Sequence, residues 1–129
     1  MEEIPVKTEG SVEAMHEQAR ALDLSGDRVG ALGLLERAHA AAPSAPEPAC
    51  DLAMLYLEQQ QDARAENVLV PVLQAQPDHP RANLHMAMAL AKTAPVRARD
   101  CAAKAMRDSN PDRRQQAEVL HRLLSTATP

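Results

Sequence analysis

The chain has no tryptophan and no phenylalanine, and Tyr56 is its one aromatic residue in 129, so any core has to be built from small and aliphatic side chains. Hydrophobic residues still make up 45% of it. Alanine and leucine, leaders in helix propensity, stand where a pleated sheet would need β-branched and aromatic residues, which predicts an all-α fold. The two cysteines, Cys50 and Cys101, show no CxxC spacing, which excludes a disulfide framework and predicts reduced thiols. No run of about 18 apolar residues is present, so no membrane-spanning helix is expected. With a net charge of −4 and a pI near 5.7, the chain lacks the basic excess that a nucleic-acid partner requires. The opening MEEIPVKTEG is acidic and carries no apolar segment, so no secretory leader is read there and a cytoplasmic location is expected. Abundant alanine and arginine beside scarce lysine suggest a bacterial, GC-rich source.

Catalytic and metal-binding patterns are missing as well. His16, His39, His79, His85 and His121 are scattered and form no HExxH or paired CxxC and HxxxH spacing. The nearest approach to a ligand set is His16, Cys50 and His85. Helices packed about 8–10 Å apart would leave those side chains a long reach. There is no glycine-rich phosphate loop, no nucleophile elbow and no singled-out acid pair, so neither an enzyme nor a cofactor is expected.

What the chain does contain is a period. Pro43, Pro77 and Pro111 follow helix-like stretches at intervals of 34 residues, which divides the sequence into repeats 12–45, 46–79 and 80–113. In that register a small residue recurs as Ala19, Ala53 and Ala87, and a larger one three places on as Leu22, Tyr56 and Leu90. The second helices align Ala31, Ala65 and Arg99, then Leu35, Leu69 and Ala103, then Ala38, Val72 and Met106. A shift of one residue would put Ala98 in the Arg99 slot. Over residues 12–113 this pattern resembles the tetratricopeptide repeat family, although the family's tryptophan is replaced by Met15, Ala49 and Asn83, and Pro95 interrupts the third turn. The resemblance implies a right-handed α-solenoid of stacked antiparallel helix hairpins.

Local signals fit hairpins. Ser25-Gly26-Asp27 offers a left-handed glycine and a capping carboxylate; Asp78 and Asn110 are candidate caps, with Pro111 suited to a first helical position. Pro71 should disturb the helix that contains it. Gly30 and Gly33 should each cost the first repeat about 1 kcal/mol against alanine. Past the repeats, Ala117, Val119, Leu120, Leu123 and Leu124 recur at helical spacing, predicting an amphipathic helix over 111–125 that caps the end of the stack. Residues 1–11 are expected to be a disordered tail.

The resemblance also implies a concave groove lined by the first helix of each hairpin. Its positions fall on His16, Arg20, Cys50, Met54, Leu57, Arg81, Leu84, Met88 and Ala91, with Glu13, Asp23 and Glu47 beside them. The first third is charged and the remainder is apolar and methionine-rich, which suits an amphipathic helix or apolar segment of a partner protein. Family members that grip a C-terminal Glu-Glu-Val-Asp peptide use lysine, asparagine and arginine. The matching places here hold His16, Arg20, Asp51, Arg81 and His85, and Asp51 would repel a carboxylate. The expectation is a non-catalytic adaptor or assembly factor. Alternatives are a type III secretion-type chaperone for a translocator or needle subunit, and a self-associating structural repeat. The last draws on the net charge of −5 over residues 1–27 against +3 over 97–129. The groove could also be covered by the chain's own Ile4-Pro5-Val6.

Overall fold

The computed structural model describes residues 11–127. Among them are seven α-helices and no strand: α1 (Val12–Leu24), α2 (Arg28–Ala41), α3 (Pro46–Glu58), α4 (Asp62–Ala75), α5 (Pro80–Leu90), α6 (Pro95–Ala105) and α7 (Pro111–Ala127). Residues 1–10 of the expected tail, Ile4-Pro5-Val6 among them, lie outside the described residues, whereas Ser11, expected to end the tail, caps α1. No helix among the described residues is long and apolar enough to cross a membrane.

Capping chemistry sets the helix ends. Ser11 Oγ accepts from the Ala14 amide at 3.0 Å, Asp27 Oδ1 from the Gly30 amide at 2.9 Å and Asn110 Oδ1 from the Arg113 amide at 3.0 Å. Asp78 is not a cap. The imidazole of His79 takes that place at α5, its Nδ1 accepting from the Ala82 amide at 3.1 Å. Pro46, Pro80, Pro95 and Pro111 each open a helix, where the missing amide would have had no partner.

Helices α1/α2, α3/α4 and α5/α6 pack as hairpins, with α7 against α6 and α5. The packing surface of each second helix is a run of buried residues spaced four and then three apart: Ala31, Leu35, Ala38; Ala65, Leu69, Val72; and Ala98, Ala102, Ala105. Ala98, not Arg99, is therefore the third hairpin's equivalent of Ala31 and Ala65. Ala103 is exposed and Met106 half-buried, so the slots first aligned with them belong to Ala102 and Ala105. The cause is a shortened unit: α5 and α6 have eleven residues each, against thirteen or fourteen in the helices before them.

The same shortening changes the meaning of the third evenly spaced proline. Pro43 and Pro77 lie in turns between hairpins, whereas Pro111 is the first residue of α7. In its stead Asp108, 5% exposed, organises the turn by accepting from the Asn110 amide at 2.9 Å and from Arg113 Nε at 2.7 Å. The tryptophan-equivalent residues Met15, Ala49 and Asn83 are all buried. Asn83 uses its amide to donate to the carbonyls of Pro77 and His79, so it secures a turn rather than filling space.

Candidate functional site

The first helices α1, α3 and α5 form a continuous face, continued by α7, and its centre is ionic. Asp51 on α3 accepts from His16 Nε2 of α1 at 2.6 Å and from Arg81 Nη2 of α5 at 2.5 Å. Arg81 also reaches Glu47 at 3.4 Å. Burial alone would raise the Asp51 carboxyl, but the hydrogen bonds from Arg81 and His16 outweigh it and hold the group below the ordinary carboxylate range. Three successive first helices are thereby tied through one carboxylate. The same pairing occupies His16 and the Arg81 guanidinium, the two groups that could otherwise have met an acidic ligand.

On either side of this tie the face opens. Between α1 and α3 lies a shallow cleft of about 250 Å³, lined by Arg20, Asp23, Asp51, Met54 and Glu58 among others. Arg28 bridges its rim, pairing with Glu58 and approaching Asp23 at 3.5 Å. Between α5 and α7 lies a larger trough of about 650 Å³, with Leu84 and Met88 on one wall and Val119, Leu120 and Leu123 on the other. Asp112, Gln115 and Gln116 border it.

The residues expected in the groove are thus divided. Arg20 and Met54 share the cleft, Leu84 and Met88 share the trough, and His16 and Arg81 stand in the ionic tie between them. Leu84 is only 2% exposed and forms the trough's floor. Cys50 has no exposed surface, and Leu57 and Ala91 pack against the main core, so none of these three lies in either opening. Burial pushes the Cys50 thiol up to about 12, which leaves it protonated and inert. His85, 2% exposed, is pushed down to about 4 by burial, with Arg81 and Arg113 adding to the effect. Among the described residues, neither of its ring nitrogens has a hydrogen-bonding partner. Among the described residues no three His, Cys, Asp or Glu are grouped to hold a metal ion.

The α7 wall of the trough is the part the sequence reading missed. That helix has two apolar stripes. Ala117 and Leu124 face inward, Val119 and Leu123, 41% and 61% exposed, face the opening, and half-buried Leu120 lies between the two stripes. Too many apolar residues for one helical face was the available signal.

A tetratricopeptide repeat model matches residues 24–92. Among solved structures, the chain described as "First TPR of Spaghetti (RPAP3) bound to HSP90 peptide SRMEEVD" superposes with a TM-score of 0.77 at 16% identity, covering 91% of this chain and 92% of that one. At that identity the likeness is one of fold. No curated protein matches the sequence.

Proposed function

This chain belongs to the tetratricopeptide repeat family, and we propose that it is a non-catalytic interaction module holding an amphipathic helix or apolar segment of a partner protein against the face of its first helices. One observation carries the reading: the trough of about 650 Å³ is walled by aliphatic and methionine side chains, two of them left substantially exposed on a folded, well-packed element. Apolar surface of that kind on a soluble domain marks a docking site. Met54 and Met88, both half-buried, give the face adaptable side chains able to follow an irregular apolar partner.

The structural neighbour is described as bound to an acidic peptide; the corresponding face here is of different chemistry. His16 and Arg81 are both held by Asp51. An apolar ligand is therefore the better fit than a carboxylate-rich one. The adaptor role, and a cytoplasmic setting with reduced Cys50 and Cys101, belong to this proposal.

The test begins with capture of partners by the tagged full chain, followed by mass spectrometry and calorimetric titration of the purified partner. Met54→Glu with Met88→Glu should leave helicity nearly unchanged, since substitutions at partly exposed positions usually cost no more than about 0.5 kcal/mol each. Binding should fall sharply, because an unpaired carboxylate buried in an apolar contact costs several kcal/mol against the roughly 8 kcal/mol of a micromolar complex. Unaltered affinity would remove this face from the binding surface.

A further inference from the structure

We infer that the trough between α5 and α7 is occupied by α7 of a second copy of this chain, the two α7 helices lying antiparallel across a two-fold axis. The inference rests on the interaction-module reading and names one occupant for one part of that face.

The argument starts from spacing on α7. Val119 and Leu123 are one helical turn apart and form the exposed apolar edge of the trough, at 41% and 61% exposure. Glu118 and Arg122 are also one turn apart, both exposed, and each directly precedes one of the apolar pair, so the charged pair runs along one flank of the apolar pair. A two-fold axis near Leu120 and His121 reverses the order of residues on the facing helix. It sets Val119 against Leu123 of the other copy and, on the shared flank, Glu118 against Arg122 of the other copy. Symmetry then repeats both contacts. A parallel two-fold arrangement would instead turn the two charged flanks to opposite sides of the pair, leaving Glu118 and Arg122 without each other across the contact. The antiparallel arrangement also aligns the helix dipoles favourably.

The surface is thus complementary to itself in both apolar and ionic terms. Leu123 of each copy enters the trough whose floor is Leu84 and Met88 of the other. The α1/α3 cleft with Arg20 and Met54 lies away from this contact and stays open to a foreign segment.

Sedimentation equilibrium of the full chain from micromolar to several hundred micromolar concentration tests the inference. The wild type should show a reversible monomer–dimer equilibrium, and Leu123→Glu should be monomeric at every concentration with an unchanged circular dichroism spectrum. Glu118→Arg and Arg122→Glu should each weaken the dimer by about tenfold or more, because each creates like-charge contacts across the axis, and the double variant should recover most of that loss. A merely structural role for α7 would not produce that rescue. A wild type that is monomeric throughout, or a double variant no better than the singles, overturns the second copy as occupant. If such a monomer still binds a captured partner and loses it on Met54→Glu, the dimer is refuted while the interaction-module reading stands.

Discussion

Ala98 holds in the third hairpin the buried place that Ala65 holds in the second, although the two are one residue closer than the 34 that separate Ala65 from Ala31. Both are fully buried where the second helix of a hairpin crosses the first, a contact that admits only a small side chain. Ala98→Glu should therefore unfold the third hairpin, through overpacking and an unpaired buried charge. Ala103→Glu, exposed on the same helix, should shift stability by no more than about 0.5 kcal/mol. Thermal melts of the two variants decide the register: an unstable Ala103→Glu beside a stable Ala98→Glu would reverse it.

The hairpin architecture was legible because burial imposes a repeated small residue wherever two helices cross, and Ala19, Ala53 and Ala87 satisfy it in all three units. The register of the third unit was legible only as an alternative, the one-residue shift to Ala98, since an even spacing of prolines concealed three lost residues: Pro80 to Pro111 is the structural unit. The pairing at the centre of the face was hidden for another reason. A sequence presents Asp51 as an isolated negative charge, and only the packing of α1, α3 and α5 reveals that it is already paired from both sides. Cys50 falls at a groove position by counting but is fully buried, and Leu57 and Ala91 are half-buried against the main core.

The turns inside the first two hairpins test the backbone. Gly26 and Gln60 occupy the same position in them, both in the left-handed region, at φ +95° and +60°. Glycine takes that conformation without strain and glutamine does not. Gln60→Gly should stabilise the chain by about 1 kcal/mol, read as a rise in urea midpoint, and a fall would show that the Gln60 side chain has a compensating role.

Gly30 and Gly33 separate two readings of first-repeat softness. A Cβ on Gly30 would lie 2.7 Å from Asp27 Oδ2, the carboxylate that caps α2, whereas one on Gly33 would meet nothing within 4 Å. Gly33→Ala should gain about 0.5–1 kcal/mol from helix propensity. Gly30→Ala should lose stability by displacing the cap, typically by about 1 kcal/mol. Equal effects from the two substitutions would show that the cap yields without cost.

The ionic tie predicts an asymmetry between charge and shape. Asp51→Asn keeps the outline of the side chain but leaves Arg81, with 24% of its side chain exposed, facing a neutral amide and, at 3.4 Å, only the exposed carboxylate of Glu47. Removing one partner of a half-buried pair strands the other, so a loss of about 1–3 kcal/mol is expected, with little dependence on salt because the pair is largely shielded. Denaturant titrations at low and high ionic strength check both the size and the salt dependence.

Acid stability should report on His85. Its pKa is pushed from 6.5 down to about 4 by burial first, with Arg81 and Arg113 adding to the effect against the weaker pull of Asp51. The folded state therefore holds fewer protons than the unfolded state between those two values, and stability rises with pH across that window. In the other direction, the unfolded chain gains a proton below 6.5 while the folded chain refuses it down to about 4, so the stability present at neutral pH is lost as pH falls through this range. From pH 7 to pH 5 the loss should be about 2 kcal/mol. His39, also lowered by burial, adds a weaker slope of the same sign, whereas the depressed Asp51 carboxyl acts only below the ordinary carboxylate range. Because His85 is enclosed and its ring nitrogens have no hydrogen-bonding partner among the described residues, His85→Leu should be tolerated at pH 7 and should flatten most of the dependence. Urea titrations of wild type and variant at the two pH values give the comparison, and parallel losses in both would mean that His85 does not titrate with folding.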